Sequence, residues 1–147
     1  RLRYRAGVFC HAVSARIADV HARGLDKRVL VVVGGEFGRT PKISHVASSG
    51  GGYASAPACV VQPGRYHWPR AFTNLWSGGG LETGGVIGAS DKRGEDVSAN
   101  ACTPHAFLAT IYHHLDIDSA SETTKDFGGR PTPLVPNGRP ISGQFRV

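Results

Sequence analysis

The sequence predicts an α/β protein with a central, largely parallel sheet flanked by helices. Three observations lead there. From Tyr4 to Arg23 the apolar residues Phe9, Val13, Ile17 and Val20 recur at spacings of four, four and three. That is one face of an amphipathic helix. A short turn later, Val29-Leu30-Val31-Val32-Val33 is an unbroken apolar run. It lacks polar alternation, so it reads as a strand buried on both faces, as in parallel sheets covered by helices. Thr103-Pro104 then opens a second helix, with Thr as N-cap and Pro at the first helical position. Phe107, Leu108, Ile111 and Leu115 form its apolar face.

The elements follow in order. The first helix ends at Gly24, a suitable residue just past a helix C-terminus that carries basic side chains in its last turn. His11 and His21 read as surface residues of this helix. In open α/β sheets ligands bind beyond the carboxyl ends of the strands. The residues after Val33 are therefore where chemistry is expected. Ser44–Pro63, rich in Ser, Gly, Ala and Pro, reads as a long loop or insertion with a short strand near Cys59–Val61. Phe72–Ser77 is a second candidate strand, ended by Gly78–Gly80, and Val86–Ala89 a third. Asp91–Asn100 reads as a polar surface loop. Beyond Asp118 the chain is Pro/Gly-rich, with Leu134-Val135 as its main hydrophobic anchor. No repeat or domain boundary stands out, so residues 1–147 are expected to form one domain.

Composition sets outer limits. With 147 residues, 40% hydrophobic and 19% charged, the chain can build a real core. Glycine is frequent, at 20 residues, which suggests tight loops and close backbone approaches. A net charge of +6 attracts phosphate, sulfate, nucleic acid or acidic membranes. The basic residues are scattered rather than in a block, so nucleic-acid binding is not expected. No run approaches the about 18 apolar residues of a membrane span. Cys10, Cys59 and Cys102 include no CxxC pair, so a cysteine-rich zinc site is not expected; one disulfide with a leftover thiol is an unassigned alternative, and the favoured reading is small buried hydrophobes. The chain starts at Arg1 and contains no Met, which reads as a fragment or a processed product.

Two clusters carry candidate chemistry. Gly34-Gly35-Glu36-Phe37-Gly38-Arg39-Thr40-Pro41 places a carboxylate, a guanidinium and a hydroxyl directly after the apolar strand. A carboxylate there can bind a metal, and Arg39 can hold a tetrahedral oxyanion in bidentate fashion. A structural Glu–Arg pair in a Gly-rich turn is the alternative. Gly64-Arg65-Tyr66-His67-Trp68-Pro69-Arg70 is the second cluster. His67 offers a neutral imidazole, a common metal ligand. Arg65 and Arg70 add anion attraction, and Trp68 could wall a pocket. The alternative is a His packed on Trp in a loop. Asp91-Lys92-Arg93-Gly94-Glu95 adds Lys92 and Arg93 as anion-binding candidates, or is simply solvated surface. His113 and His114 are adjacent on a helix and do not share a face, so a two-His metal site is not expected. No GxSxG, P-loop or HExxH sequence is present.

These residues also carry a resemblance. Val29–Ile43 resembles the signature of a large bacterial family of exported, sulfatase-like proteins of unknown function, within the alkaline phosphatase/sulfatase superfamily. Gly64-Arg-Tyr-His-Trp-Pro69, Leu75–Gly85, Val86–Glu95, Ala109–Asp118 and Gly129–Val135 resemble further segments in the same order. The resemblance implies a partial alkaline-phosphatase-like sandwich and a metal-assisted ester hydrolase site at its strand ends. It implies Glu36 and His67 as ligands of a divalent metal (zinc, calcium or magnesium) and a sulfate or phosphate ester as the anionic partner. Arg39, Arg65, Lys92 and Arg93 would steady that anion. It also implies export, and places the nucleophile and the first metal-binding Asp in an N-terminal half upstream of Arg1. Tyr66 stands where the family usually has Asp, and Ala106 where many relatives have Asp. The expected function is the C-terminal portion of such a hydrolase; the alternative is a degenerate, non-catalytic binding or assembly module. An incomplete sheet would expose an apolar edge, so self-association or a missing partner segment is expected.

Overall fold

The first helix, α1 (Leu2–Ala22), forms as its spacing predicts and ends in glycine geometry. Gly24 has φ +65°. Its N–H donates to the His21 carbonyl (3.0 Å) while the Leu25 N–H donates to Val20 (3.0 Å). These paired bonds are a Schellman motif, which satisfies carbonyls that the helix end would leave open. On the apolar stripe Val20 is buried at 6% exposure. Val13 and Ile17 are half-buried, and Phe9 is exposed. The structure is a computed structural model describing residues 2–52 and 55–141.

The chain divides into two compact units. The first comprises Arg1–Val33, Leu75–Val86 and Cys102–Val147. It holds α1, β1 (Leu30–Val33), β6 (Leu75–Gly78), α2 (Pro104–His114), β9 (Thr123–Lys125) and β10 (Pro131–Pro133). The second comprises Gly34–Asn74 and Ile87–Ala101. It holds β2 (Gly38–Arg39), β3 (Ser44–Ala47), β4 (Val61–Gly64), β5 (His67–Trp68), β7 (Ala89–Ser90) and β8 (Val97–Ala99).

The expected central parallel sheet flanked by helices is not what forms, and the alkaline-phosphatase-like sandwich falls with it. Among the described residues the strands make five two-stranded pairs, all antiparallel. The apolar run does become a strand, β1, but it pairs antiparallel with β6, from Leu30↔Gly78 to Val33↔Leu75. All four of its residues are half-buried rather than buried. The physical reason is that an apolar run reports desolvation and not direction. A parallel neighbour needs a crossover returning the chain to the same end of the sheet. Here the chain returns at Leu75 running the opposite way.

In the first unit, the core gathers around α2. The Thr103 hydroxyl caps α2 by accepting from the Ala106 N–H (3.1 Å), with Pro104 in the first turn, as the sequence predicts. Ala109 and Val135 are each 1% exposed. Trp76 of β6 packs edge-on against Phe107 of α2, with centroids 5.0 Å apart. The segment after β10 crosses α2 closely: a side chain at Gly138 would meet the His105 carbonyl at 2.9 Å and the Ala109 methyl at 3.2 Å. Val135 is thus the anchor that its apolar neighbourhood predicts.

In the second unit, Ser44–Pro63 is not a loop throughout. β3 and β4 pair from Ser44↔Gly64 to Ala47↔Val61. Its small and turn-forming residues hide the pairing, and Pro63 lies in a strand that among the described residues pairs with β3 alone, where a missing N–H is tolerated. Within Asp91–Asn100, Val97–Ala99 forms β8 against β7. Cys10, Cys59 and Cys102 make no disulfide and all three are exposed, so they are not the buried hydrophobes expected. Cys59 sits in a turn with φ +66°.

Candidate functional site

The two chemical clusters meet in the second unit, and a glycine explains how. Gly38 and Arg39 of β2 pair with Trp68 and His67 of β5. A Cβ at Gly38 would run into the Ala71 carbonyl and lie 3.1 Å from that of Trp68. Only glycine lets β2 approach the Trp68–Ala71 backbone this closely. The pairing continues beyond the strands. The Thr40 N–H donates to the Tyr66 carbonyl (3.0 Å), and the Tyr66 N–H donates to the Thr40 hydroxyl (3.1 Å). Thr40 thus works as a clasp between the clusters, and its hydroxyl donates onward to Lys42 (3.1 Å).

The side chains layer on this backbone. The His67 imidazole stacks on Phe37, centroids 3.9 Å apart and planes 30° apart. The Arg39 guanidinium carbon lies 5.5 Å from the centre of the same phenyl ring. Phe37 therefore touches both His67 and Arg39, and orders two polar groups with one apolar surface. Arg39 Nη1 also reaches the Arg65 carbonyl at 3.4 Å. Glu36, Arg39, Arg65 and His67 are all exposed.

A third segment docks on β5. The Trp68 indole N–H donates to the Glu95 carbonyl (2.6 Å). Arg70 pairs with Asp96 at 2.6 Å and lies 5.7 Å from the Trp68 ring centre. These contacts fix the Asp91–Asp96 turn to the strand that carries His67. Asp91 builds the turn itself. Its carboxylate accepts the N–H of Glu95 (2.8 Å) and of Arg93 (3.0 Å), and the Gly94 N–H donates to its carbonyl (3.0 Å). The Glu95 N–H, followed by those of its neighbours, holds the Asp91 carboxyl below the usual carboxylate range. Lys92 and Arg93 project from this turn and are exposed.

The structure thus brings Arg39, Arg65 and His67 onto one paired element, with the Lys92–Arg93 turn fastened to it. It does not complete a metal site there. Glu36 and His67 are two donors, and protein sites hold zinc with three or four ligands and calcium with six to eight. Among the described residues no group of three or more His, Cys, Asp or Glu is placed to hold a metal ion. The described residues alone therefore do not fit a closed metal centre.

Several contributors escape a reading of the sequence. Nothing in the sequence singles out Phe37, yet its ring lies against both His67 and Arg39. Trp68 was a candidate pocket wall, but its indole N–H is a structural donor. The Asp91–Gly94 spacing was the legible signal for a side-chain-capped turn, because Asp accepts backbone N–H groups two residues on and Gly takes the positive φ.

Comparison with curated proteins gives no match. Comparison with solved structures gives none either. One family model does match, described as Protein of unknown function (DUF1501), over residues 3–145. Covering nearly the whole chain, that match establishes that the protein belongs to the DUF1501 family.

Proposed function

We propose that the chain supplies the anion-recognising part of a metal-assisted sulfate- or phosphate-ester hydrolase of the sulfatase-like kind. The observation that supports it most is the β2–β5 pairing, which sets Arg39 beside His67 and close to Arg65. A guanidinium is matched to a tetrahedral oxyanion because its N–H groups point along two parallel lines. Lys92 and Arg93 add positive charge from the docked turn. The relation to sulfatase-like proteins rests on the Glu36–Pro41 and Asp91–Glu95 motifs and not on the fold. In this reading Glu36 and His67 are two ligands of a divalent ion, and the remaining ligands come from outside the described residues. Such an ion, when bound, would supply charge stabilisation of the ester oxygens. The residues described bind and orient the anion. An extracytoplasmic location accompanies the same resemblance.

A second reading, a non-catalytic anion-binding module, is favoured by the lack of a third metal donor among the described residues. One experiment separates the two. The chain is titrated with inorganic sulfate and phosphate, with and without zinc, while the His67 ring resonances are followed by NMR. Aryl sulfate and aryl phosphate turnover is assayed in parallel. Saturable anion binding that weakens in Arg39→Ala and Arg65→Ala is expected under both. Zinc-dependent His67 shifts lost in Glu36→Gln support the hydrolase reading. Anion binding with no zinc response leaves the binding module. Absence of saturable anion binding overturns both.

A further inference from the structure

We propose that the first unit carries a separate site for a small molecule bearing a phosphoryl or sulfuryl group, in the depression bounded by Lys27, Arg28, Gly79, His113, His114 and Leu115. The depression encloses about 410 Å³. That is in the range of small-molecule pockets, although its mouth is open to solvent. Every residue lining it belongs to the first unit, so it is distinct from the Arg39–His67 element.

Three segments build it. The turn after α1 carries Lys27 and Arg28. It is tightened by the Arg28 and Val29 N–H groups donating to Leu25 (2.9 and 2.8 Å). The glycine triplet that ends β6 then grips this turn: Gly79 N–H donates to the Val29 carbonyl (2.9 Å) and Gly80 N–H to that of Asp26 (3.3 Å). Gly78, Gly79 and Gly80 all have positive φ, at 76°, 65° and 77°. The last turn of α2 supplies His113 and His114. A Cβ at Gly79 would sit 3.0 Å from both Cε1 and Nδ1 of His114. The missing side chain is what allows this imidazole to lie against the turn.

The chemistry is one-sided. Four of the six lining residues are basic, and none is acidic. Lys27 and Arg28 take part in none of the ion pairs among the described residues. Two fixed cations and two imidazoles placed around one opening favour an acceptor with several charged oxygens over a neutral ligand. The C-terminal end of α2 has the opposite tendency, since its carbonyls repel an anion. His113 and His114 sit in that last turn and line the opening.

The test is a titration of the chain with inorganic phosphate, then with phenyl phosphate and phenyl sulfate, at constant ionic strength. Amide shifts of Gly79 and Gly80 and ring shifts of His114 are followed. Saturable shifts with phosphate and with either ester are expected. In the Lys27→Gln/Arg28→Gln variant the affinity falls at least about tenfold. Both substitutions are at exposed positions and leave the fold intact, and Arg39→Ala leaves this binding unchanged. Three results would overturn the proposal. They are unmoved Gly79 and His114 resonances, equal shifts with chloride, or binding that disappears in Arg39→Ala but survives in the Lys27/Arg28 variant. The last would also assign the anion to the second unit, so the two proposals fail separately.

Discussion

Replacing Thr110 with Val tests how the segment after β10 is held to α2. Thr110 is completely buried. Its hydroxyl donates to the Ala106 carbonyl (2.7 Å) and accepts from the Ile141 N–H (2.9 Å). Valine keeps the shape and removes both bonds. The Ala106 carbonyl can still accept the ordinary helical bond, so that loss is small. Ile141 loses its acceptor. A buried unsatisfied donor costs about 1–3 kcal/mol, and Ile141 is half-buried, which sets the expected loss near the lower half of that range, about 1–2 kcal/mol. The readout is amide hydrogen exchange at Ile141, together with the urea midpoint. Protection at Ile141 should fall by roughly 5–30-fold. Thr110→Ser serves as the control. It keeps the hydroxyl and loses a methyl worth about 0.8 kcal/mol, so the midpoint drops while Ile141 keeps its relative protection. If Thr110→Val leaves Ile141 exchange unchanged, the hydroxyl does not hold this segment and the reasoning is wrong.

Two further outcomes follow from the second unit. Trp68→Phe keeps an aromatic ring but removes the N–H bonded to Glu95, and should lower stability by about 1 kcal/mol in urea denaturation. Combined with Arg70→Gln it should show coupling, because both side chains fasten the same turn; strictly additive losses would contradict that. The Asp91 carboxyl is held below its ordinary value chiefly by the Glu95 N–H. Its folded pKa therefore lies under the unfolded value of about 3.9. The stabilisation is complete above that value and is lost as pH falls through the folded pKa. Thermal melts from pH 6 down to pH 2 should accordingly show a shallower acid limb for Asp91→Asn than for the parent, and identical limbs would refute the role given to this carboxylate.

How much was legible in the sequence depends on the range of the interaction involved. The ends of the helices are local, and Gly24, Thr103 and Pro104 announce them through φ and capping preferences that need no tertiary partner. The strand at Leu30–Val33 is legible as a strand for the same reason. Its direction relative to a neighbour is not, since that depends on where Leu75 returns. The β3–β4 hairpin stayed hidden because Ser, Ala, Gly and Pro carry no alternating apolar signal. At the candidate site, the residue types were readable and their pairing was not. That Arg39 faces His67 follows from the close approach at Gly38, which the letter G alone does not specify. The depression around Lys27 and His114 was beyond reach, because it joins three segments distant in sequence through bonds made by a backbone.

That backbone has a stereochemical consequence. Gly78, Gly79 and Gly80 share positive φ, so the chain there follows, for three residues, the path natural to amino acids of the opposite hand. A chemically synthesised chain with D-alanine at Gly80 would match the local geometry and restrict the unfolded state, a gain of about 0.4–1 kcal/mol over glycine. L-alanine at the same position would carry the left-handed penalty even though nothing lies within 4 Å of its methyl. At Gly80 the constraint is thus handedness alone, whereas at Gly78 and Gly79 a side chain would also run into the Val29 carbonyl and the His114 ring.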